Sequence, residues 1–326
     1  MVGIAPSGNV DVKEEKGTVM HVSFGHTSIS RRSLLAGGAL LASSAVLAGC
    51  GSTQSAQDAV TSATSNSDTD STASDSDARS VDDIKSAGSI NIGVFSDKAP
   101  FGYVDDSGNY AGYDIVFAAR IAEELGVTPN YIATDGSNRV PYLESNQADL
   151  MLANFTVTDE RAEKVDFTKP YMKVQLGIVS PESAPINSVD DLAGKTLIIA
   201  KGTTAETYFE DKYPDITLQK YDSYTMTYNA LLDGRGAGMS TDNTEVLAWA
   251  KVNTGYVVGV SDLGDVDTIA GAVHKGNDSL LEFVNDLITG PLAEERFFHS
   301  DYEQTLEPVF GDEVDPDTIV VEGGEV

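Results

Sequence analysis

Cysteine is nearly absent from this chain: Cys50 is its only one. A single thiol excludes an intramolecular disulfide and any Cys-x-x-Cys metal or redox pair. Histidine is almost as scarce, with four in total and only His274 and His299 beyond the first fifty residues. Those two lie far apart in sequence, so no histidine cluster with metal-ligand spacing arises, and each reads as a structural side chain. A Gly-x-Ser-x-Gly elbow and a phosphate-binding P-loop are also missing, which removes the commonest hydrolase and nucleotide-binding signatures. No cofactor or metal is expected. Positive charge is the other shortage. Lys and Arg number 21 against 51 Asp and Glu, a formal charge of −30. That balance excludes nucleic acid and anionic lipid surfaces as partners, although a local pocket can still oppose the global field. Long apolar runs are lacking too: the stretch from Leu34 to Ala48 is too short, and too rich in Gly, Ala and Ser, to serve as a stop-transfer helix.

What is present begins with a targeting segment. Ser30-Arg31-Arg32-Ser33-Leu34-Leu35 is a twin-arginine pattern ahead of that apolar stretch, which ends in Leu47-Ala48-Gly49-Cys50, a lipobox-like sequence. Residues 1–49 are therefore read as a signal peptide, with Cys50 the lipidated residue and the membrane anchor. Met20 gives a more ordinary leader than the polar, acidic Met1–Val19 stretch does. The leader holds four of the basic and three of the acidic residues, so its removal leaves a charge of −31. Residues 50–80, mostly Ser, Thr, Asp, Ala and Gln, cannot bury enough apolar surface to offset their ordering entropy, and read as a flexible tether.

Beyond the tether, strands and helices alternate at the spacing of a parallel sheet with crossovers, an α/β fold. Ser89–Val94 suits a strand; Asp105–Asn109 is a hairpin turn; Ile115, Ala118, Ile121, Ala122 and Leu125 carry a helical period stopped by Gly126. The run Ala148–Ala153 is a further strand, and Thr158 an N-cap with Asp159 and Glu160 in the first turn. This leaves Asn154 and Thr156 at a strand's carboxyl end, where open α/β sheets bind ligands, with Arg161 one turn later. A guanidinium there suits a carboxylate, or else a surface ion pair. A second series follows: strands at Thr196–Ala200, Ile216–Lys220 and Ala237–Thr241, helices at Thr203–Lys212, Thr225–Leu232 and Thr244–Val252. Tyr171–Val179 and Ile269–His274 read as strands passing between two lobes, a hinge with a cleft. The domains are thus 81–176 plus 269–312 for lobe 1, 177–268 for lobe 2, and 313–326 as an acidic tail on the surface.

Gly93, Pro100-Phe101, Gly112-Tyr113-Asp114, Asp149, Thr156-x-Thr158-x-x-Arg161, Val165-Asp166-Phe167 and Pro170-Tyr171 occur in that order. Together they resemble the family 3 solute-binding proteins of polar amino-acid ABC importers, over about Ile84 to Phe310. Phe101-Gly102-Tyr103-Val104-Asp105, Leu152–Thr156, Asp242-Asn243-Thr244 and Val321-Glu322-Gly323-Gly324 look most similar to the cysteine-binding lipoprotein branch. The resemblance implies a two-lobed, type II periplasmic-binding-protein-like fold with two hinge strands.

It also implies an extracytoplasmic, lipid-anchored monomer that takes a free amino acid and delivers it to an ABC permease with its cytoplasmic ATPase. The α-carboxylate clamp falls on Arg161, with donors from Thr156 and Thr204. Lys201-Gly202-Thr203-Thr204 also lies at a strand-to-helix junction whose amides suit an anion. The α-ammonium falls on Asp242, with the Asn154 carbonyl beside it; Asp242 is otherwise an ordinary helix cap. Lys98 stands where many relatives carry an aromatic, with Phe101 near it, and Arg139 resembles the arginine that acidic-amino-acid binders use. Lys98 and Arg139 either select aspartate or glutamate, or pair structurally with Asp97 and Asp135. The motif runs favour cysteine, the cations an acidic ligand; cysteine is the expected ligand. A dehydratase on the same fold is the rival class, and a non-enzyme is expected.

Overall fold

The computed structural model describes residues 78–312 and 314–326, so the leader, the lipobox and nearly all of the tether lie outside the described residues. The described chain opens with α1 (Val81–Ala87), capped by Ser80 in a reciprocal capping box with Asp83 and ended by Gly88 in the left-handed region. Then come β1 (Ser89–Phe95), a small antiparallel sheet of β2 (Asp97–Lys98), β3 (Gly102–Val104) and β4 (Tyr110–Ala111), and α2 (Tyr113–Leu125). The five apolar residues read as one face of α2 are all buried. The hairpin expected at Asp105–Asn109 joins β3 and β4, while β2, only two residues long, gave no periodic signal.

The chain continues through β5 (Thr128–Thr134), α3 (Arg139–Glu144), β6 (Leu150–Met151), α4 (Asp159–Ala162) and β7 (Val165–Pro181). Next are β8 (Thr196–Ala200), α5 (Thr204–Lys212), β9 (Thr217–Tyr221), α6 (Tyr224–Leu232), β10 (Gly238–Asp242), α7 (Asn243–Val252) and β11 (Tyr256–His274). A helical cap closes the chain: α8 (Asp278–Leu287), α9 (Ala293–Glu295), α10 (Phe297–Thr305) and α11 (Glu307–Phe310).

One eight-stranded sheet, in the order β5-β1-β6-β11-β7-β10-β8-β9, runs through both lobes. Its outer thirds are parallel, β5 with β1 and β6 in the first lobe, β10 with β8 and β9 in the second. The two central strands are long, 17 and 19 residues, and pair antiparallel with each other from Tyr256↔Pro181 to His274↔Val165. They are the hinge strands. Their register shifts repeatedly between Val258 and Ala272, and each bulge adds local twist where the chain passes from one lobe to the other.

The acidic tail does not lie on the surface as expected. Ile319, Val320 and Val321 are buried, and this segment pairs with β7: Lys173 N donates to Ile319 O at 2.6 Å and Val321 N to Tyr171 O at 3.0 Å. His299 bridges the same segment, 2.8 Å from Glu322 and 2.9 Å from Asp317. Three consecutive apolar residues in an otherwise acidic stretch outweigh its composition, because their burial stabilises more than the neighbouring solvated charges cost.

Candidate functional site

The carboxyl ends of the first lobe's parallel strands face those of the second across a cleft. Lys98 enters it from β2 and is 1% exposed. Its Nζ donates to Asn154 Oδ1 and, at 2.9 Å, to Asp242 Oδ2 on the opposite lobe. The rings of Phe95, Phe101 and Tyr224 surround it, with centroids at 5.6, 5.6 and 4.7 Å. Burial opposes its charge, yet the Asp242 carboxylate, with Glu245 further off, outweighs that and raises its pKa above the usual lysine value. The sequence alternative of a Lys98–Asp97 pair is therefore corrected. Asp97 instead accepts from Thr225 N at 2.9 Å, another contact between the lobes.

Asp242 ends β10 at the N-cap position of α7 but makes no side-chain cap bond. Asn243 serves that end of the helix, accepting from Thr244 N at 2.8 Å. The Asp242 carboxylate is thus turned into the cleft rather than onto its own helix, which sets aside the capping alternative.

Two guanidinium groups face it. Thr158 caps α4 as read, accepting from Arg161 N at 3.3 Å, and this aims the Arg161 side chain back along the strand end. Arg161 donates through Nη1 to Thr156 O at 2.6 Å and through Nη2 to Gly202 O at 2.9 Å. Arg139, at the start of α3 and 3% exposed, donates to Gly136 O, Ala153 O, Asn154 O and, at 2.9 Å, the same Gly202 O. The alternative pairing with Asp135 does not form: the Asp135 carboxylate is taken by Ser137 N, Asn138 N and Asn138 Nδ2. Both guanidinium carbons stack on the Phe155 ring, at 4.5 Å for Arg139 and 5.0 Å for Arg161. Every hydrogen bond these two cations make among the described residues ends on a backbone carbonyl, so their charges are unneutralised at contact distance. Burial, and next the proximity of Arg139, pushes the Arg161 pKa down to about 9.

Thr204 is the half-buried first residue of α5. The neighbouring Gly202 amide is already used, donating to Glu206 Oε2 at 2.6 Å, so at this junction the chain supplies its own anion. Thr156 is buried and enters through its carbonyl; Asn154, at φ 42°, enters through Oδ1 and its carbonyl; Phe101 enters through its ring. The structure thus brings Arg161, Thr156, Asn154, Arg139, Lys98, Phe101 and Asp242 to one cleft, with Thr204 at its rim.

Sequence reasoning missed Phe155, Tyr224, Gly136 and the Gly202 carbonyl. The two glycines touch across the cleft: a Cβ on Gly136 would meet Lys201 O at 2.3 Å, and one on Gly202 would meet Gly136 C at 2.5 Å. Both sit in Gly-Ser or Gly-Thr loops ahead of helices, and that shared placement was the available signal. The lobes also share a core, in which Ala200 and Tyr224 pack with Phe95 and Phe155.

Two α/β lobes on paired hinge strands, meeting over a cleft of unneutralised cations, define a periplasmic-binding-protein architecture. The model of the bacterial extracellular solute-binding proteins, family 3, matches residues 90–296, and the chain belongs to that family. It is 49% identical to the cysteine-binding protein from Campylobacter jejuni, covering 74% of this chain and 99% of that one with a TM-score of 0.73. The solute receptor for L-cysteine of Neisseria gonorrhoeae is 44% identical, covering 75% of this chain and all 100% of that one, also with a TM-score of 0.73. The L-cystine-binding protein TcyJ of Escherichia coli (strain K12) is 27% identical over 63% of this chain and 78% of its own length.

Proposed function

We propose that this chain is the substrate-binding lipoprotein of an amino-acid ABC importer, that its ligand is L-cysteine, and that it delivers this ligand to a permease without altering it. The observation that carries the reading is the pairing of opposite charges on opposite lobes. Arg161 on one side has no carboxylate partner, and Asp242 on the other is turned off its helix into the cleft. A free amino acid presents one carboxylate and one ammonium, each costly to bury without an opposite partner. Arg161 takes the first, with Thr156 and Thr204 beside it, and Asp242 the second, with Asn154 adjacent. Lobe 1, 81–176 and 269–312, and lobe 2, 177–268, close about the hinge strands to satisfy both. Cys50 carries the lipid, and the segment that follows tethers the lobes outside the membrane as far as Arg79, which is paired with Asp149, and Ser80, which caps α1.

Cysteine is favoured by the two structures at 49% and 44% identity, which are of cysteine binders. Aspartate or glutamate is the second reading, motivated by Lys98 and Arg139. Against it, four donations from Arg139 already end on carbonyls. A dehydratase would need an acid and a base poised over the ligand, whereas His299 is engaged with the C-terminal segment and His274 with the Lys275 carbonyl. A thermal-shift panel over the free amino acids tests the reading. Ligand at a hundred times its dissociation constant adds about 2.7 kcal/mol. Cysteine is expected to give the largest shift; a panel in which no amino acid shifts the transition defeats the proposal.

A further inference from the structure

Lys98 is the only lysine among the described residues that is buried. An ammonium carries three N–H donors. Two of them end on Asn154 Oδ1 and Asp242 Oδ2, and the third meets no polar acceptor among the described residues, only the cage of Phe95, Phe101 and Tyr224. A ring face holds a cation less strongly than an anion does. A ligand whose ammonium took Asp242 would share that carboxylate with Lys98, which holds it at 2.9 Å.

Resting on the cysteine reading above, we propose that Lys98 is the specificity-determining residue and that cysteine is bound as its thiolate, with the sulfur accepting the third Lys98 N–H. The S–H bond breaks, the electron pair stays on sulfur, and the proton leaves to solvent. A free cysteine thiol has a pKa of about 8.5, so at neutral pH it enters largely protonated. An opposite charge at contact distance favours the ionised form. The neighbouring charges come from each element around the site, and Asp267 on β11, half-buried near Asp242 and Arg161, is one of the acids among them. Arg139 on α3 and Arg161 on α4 add two cations to Lys98 on β2. Asp242 at the end of β10 is opposite, Asp114 on α2 lies behind Asn154 and is bonded to Tyr171 Oη at 2.6 Å, and Glu245 on α7 is bonded to Tyr228. Asp97 is engaged by Thr225 N. Tyr224 on α6 is neutral, its pKa raised by burial. Burial also holds the Asp114 carboxyl up to about 6 and the Glu245 carboxyl up to about 7, so at neutral pH Glu245 carries only part of its charge. The same arrangement disfavours a cationic side chain.

Calorimetry and ultraviolet absorption on the full chain carrying Cys50→Ala, so that the ligand is the only thiol, test this. With cysteine at neutral pH, titrations in buffers of different ionisation enthalpy are expected to show about one proton released per site, with thiolate absorption growing to saturation. Below the thiol pKa the affinity should tighten about tenfold per pH unit. Serine, whose hydroxyl does not ionise, reports the titration of the protein's own acids, Asp114, Glu245 and Asp267 among them, and is subtracted. Lys98→Gln should bind cysteine as the neutral thiol, without thiolate absorption and without the pH slope. Cysteine binding with no thiolate absorption overturns the inference and leaves the ligand reading standing, as does a thiolate signal that survives in Lys98→Gln. No binding of cysteine at all means that the functional reading itself has failed.

Discussion

Arg139 and Arg161, two cations on the first lobe, both donate to the carbonyl of Gly202 on the second, each at 2.9 Å. A single carbonyl between two stacked guanidinium groups is a poor substitute for an anion. The arrangement therefore both draws the lobes together and leaves Arg161 with donors to spare for a carboxylate.

The first prediction is that Arg161→Ala abolishes binding at micromolar ligand while the fold persists. Removing one member of a desolvated charge pair costs about 3–5 kcal/mol, or roughly a hundred- to several-thousand-fold in affinity. Calorimetry on the variant checks it, and near-wild-type affinity would remove Arg161 from the clamp.

Closure is expected to depend on the Gly136–Gly202 contact. A methyl at Gly136 would lie 2.3 Å from the Lys201 carbonyl, a backbone atom that cannot rotate away. Gly136→Ala should hold the lobes apart without unfolding either. Small-angle scattering would then give a larger radius of gyration than the parent at saturating ligand; equal radii would show that closure does not need this approach.

The pH dependence of stability follows from Asp301. Its carboxyl is 1% exposed, Oδ2 has no hydrogen-bond partner among the described residues, and burial pushes its pKa up to about 8. Glu245 and Asp114 are raised in the same way, to about 7 and about 6. An acid whose folded pKa lies above its unfolded value binds more protons when folded, so stability falls as pH rises between the two values. These groups should lower stability progressively from about pH 4 to pH 8. Asp301→Asn, whose amide does not ionise, is expected to flatten that slope and so to gain stability relative to the parent on going from pH 5 to pH 8. Urea unfolding at pH 5 and pH 8 measures both, and an unchanged slope would sink the assignment.

Deleting residues 313–326 removes Ile319, Val320 and Val321, which are all buried. Each fully buried apolar side chain contributes about 1.5–3 kcal/mol, so the truncated chain should unfold at clearly lower urea. A tail that only covered the surface would leave the midpoint unmoved.

Anchoring by Cys50 predicts that the parent partitions into detergent and that Cys50→Ala does not. Equal partitioning of the two would show that the lipobox reading is mistaken.

The sequence by itself determined the elements whose cause is local. The buried face of α2, the Thr158 cap that starts α4 and the alternation of strands and helices all follow from sterics and hydrogen bonds reaching no more than four residues. The motif order was enough for the family, but it did not point to Phe155, Tyr224, Gly136 or the Gly202 carbonyl. Which residues of the cleft touch was decided only in three dimensions. Lys98 had Asp97 as its immediate neighbour, yet it pairs with Asp242, 144 residues away, because β2 turns its side chain into the cleft and α7 leaves the Asp242 carboxylate uncapped. Arg139 had Asp135 one turn back and chose carbonyls of both lobes instead. The tail at Ile319–Val321 found an open edge of β7 that no local pattern announces. Contacts of this kind depend on how two lobes rest against each other about the hinge. That angle is a property of the packed whole and leaves no period in the chain.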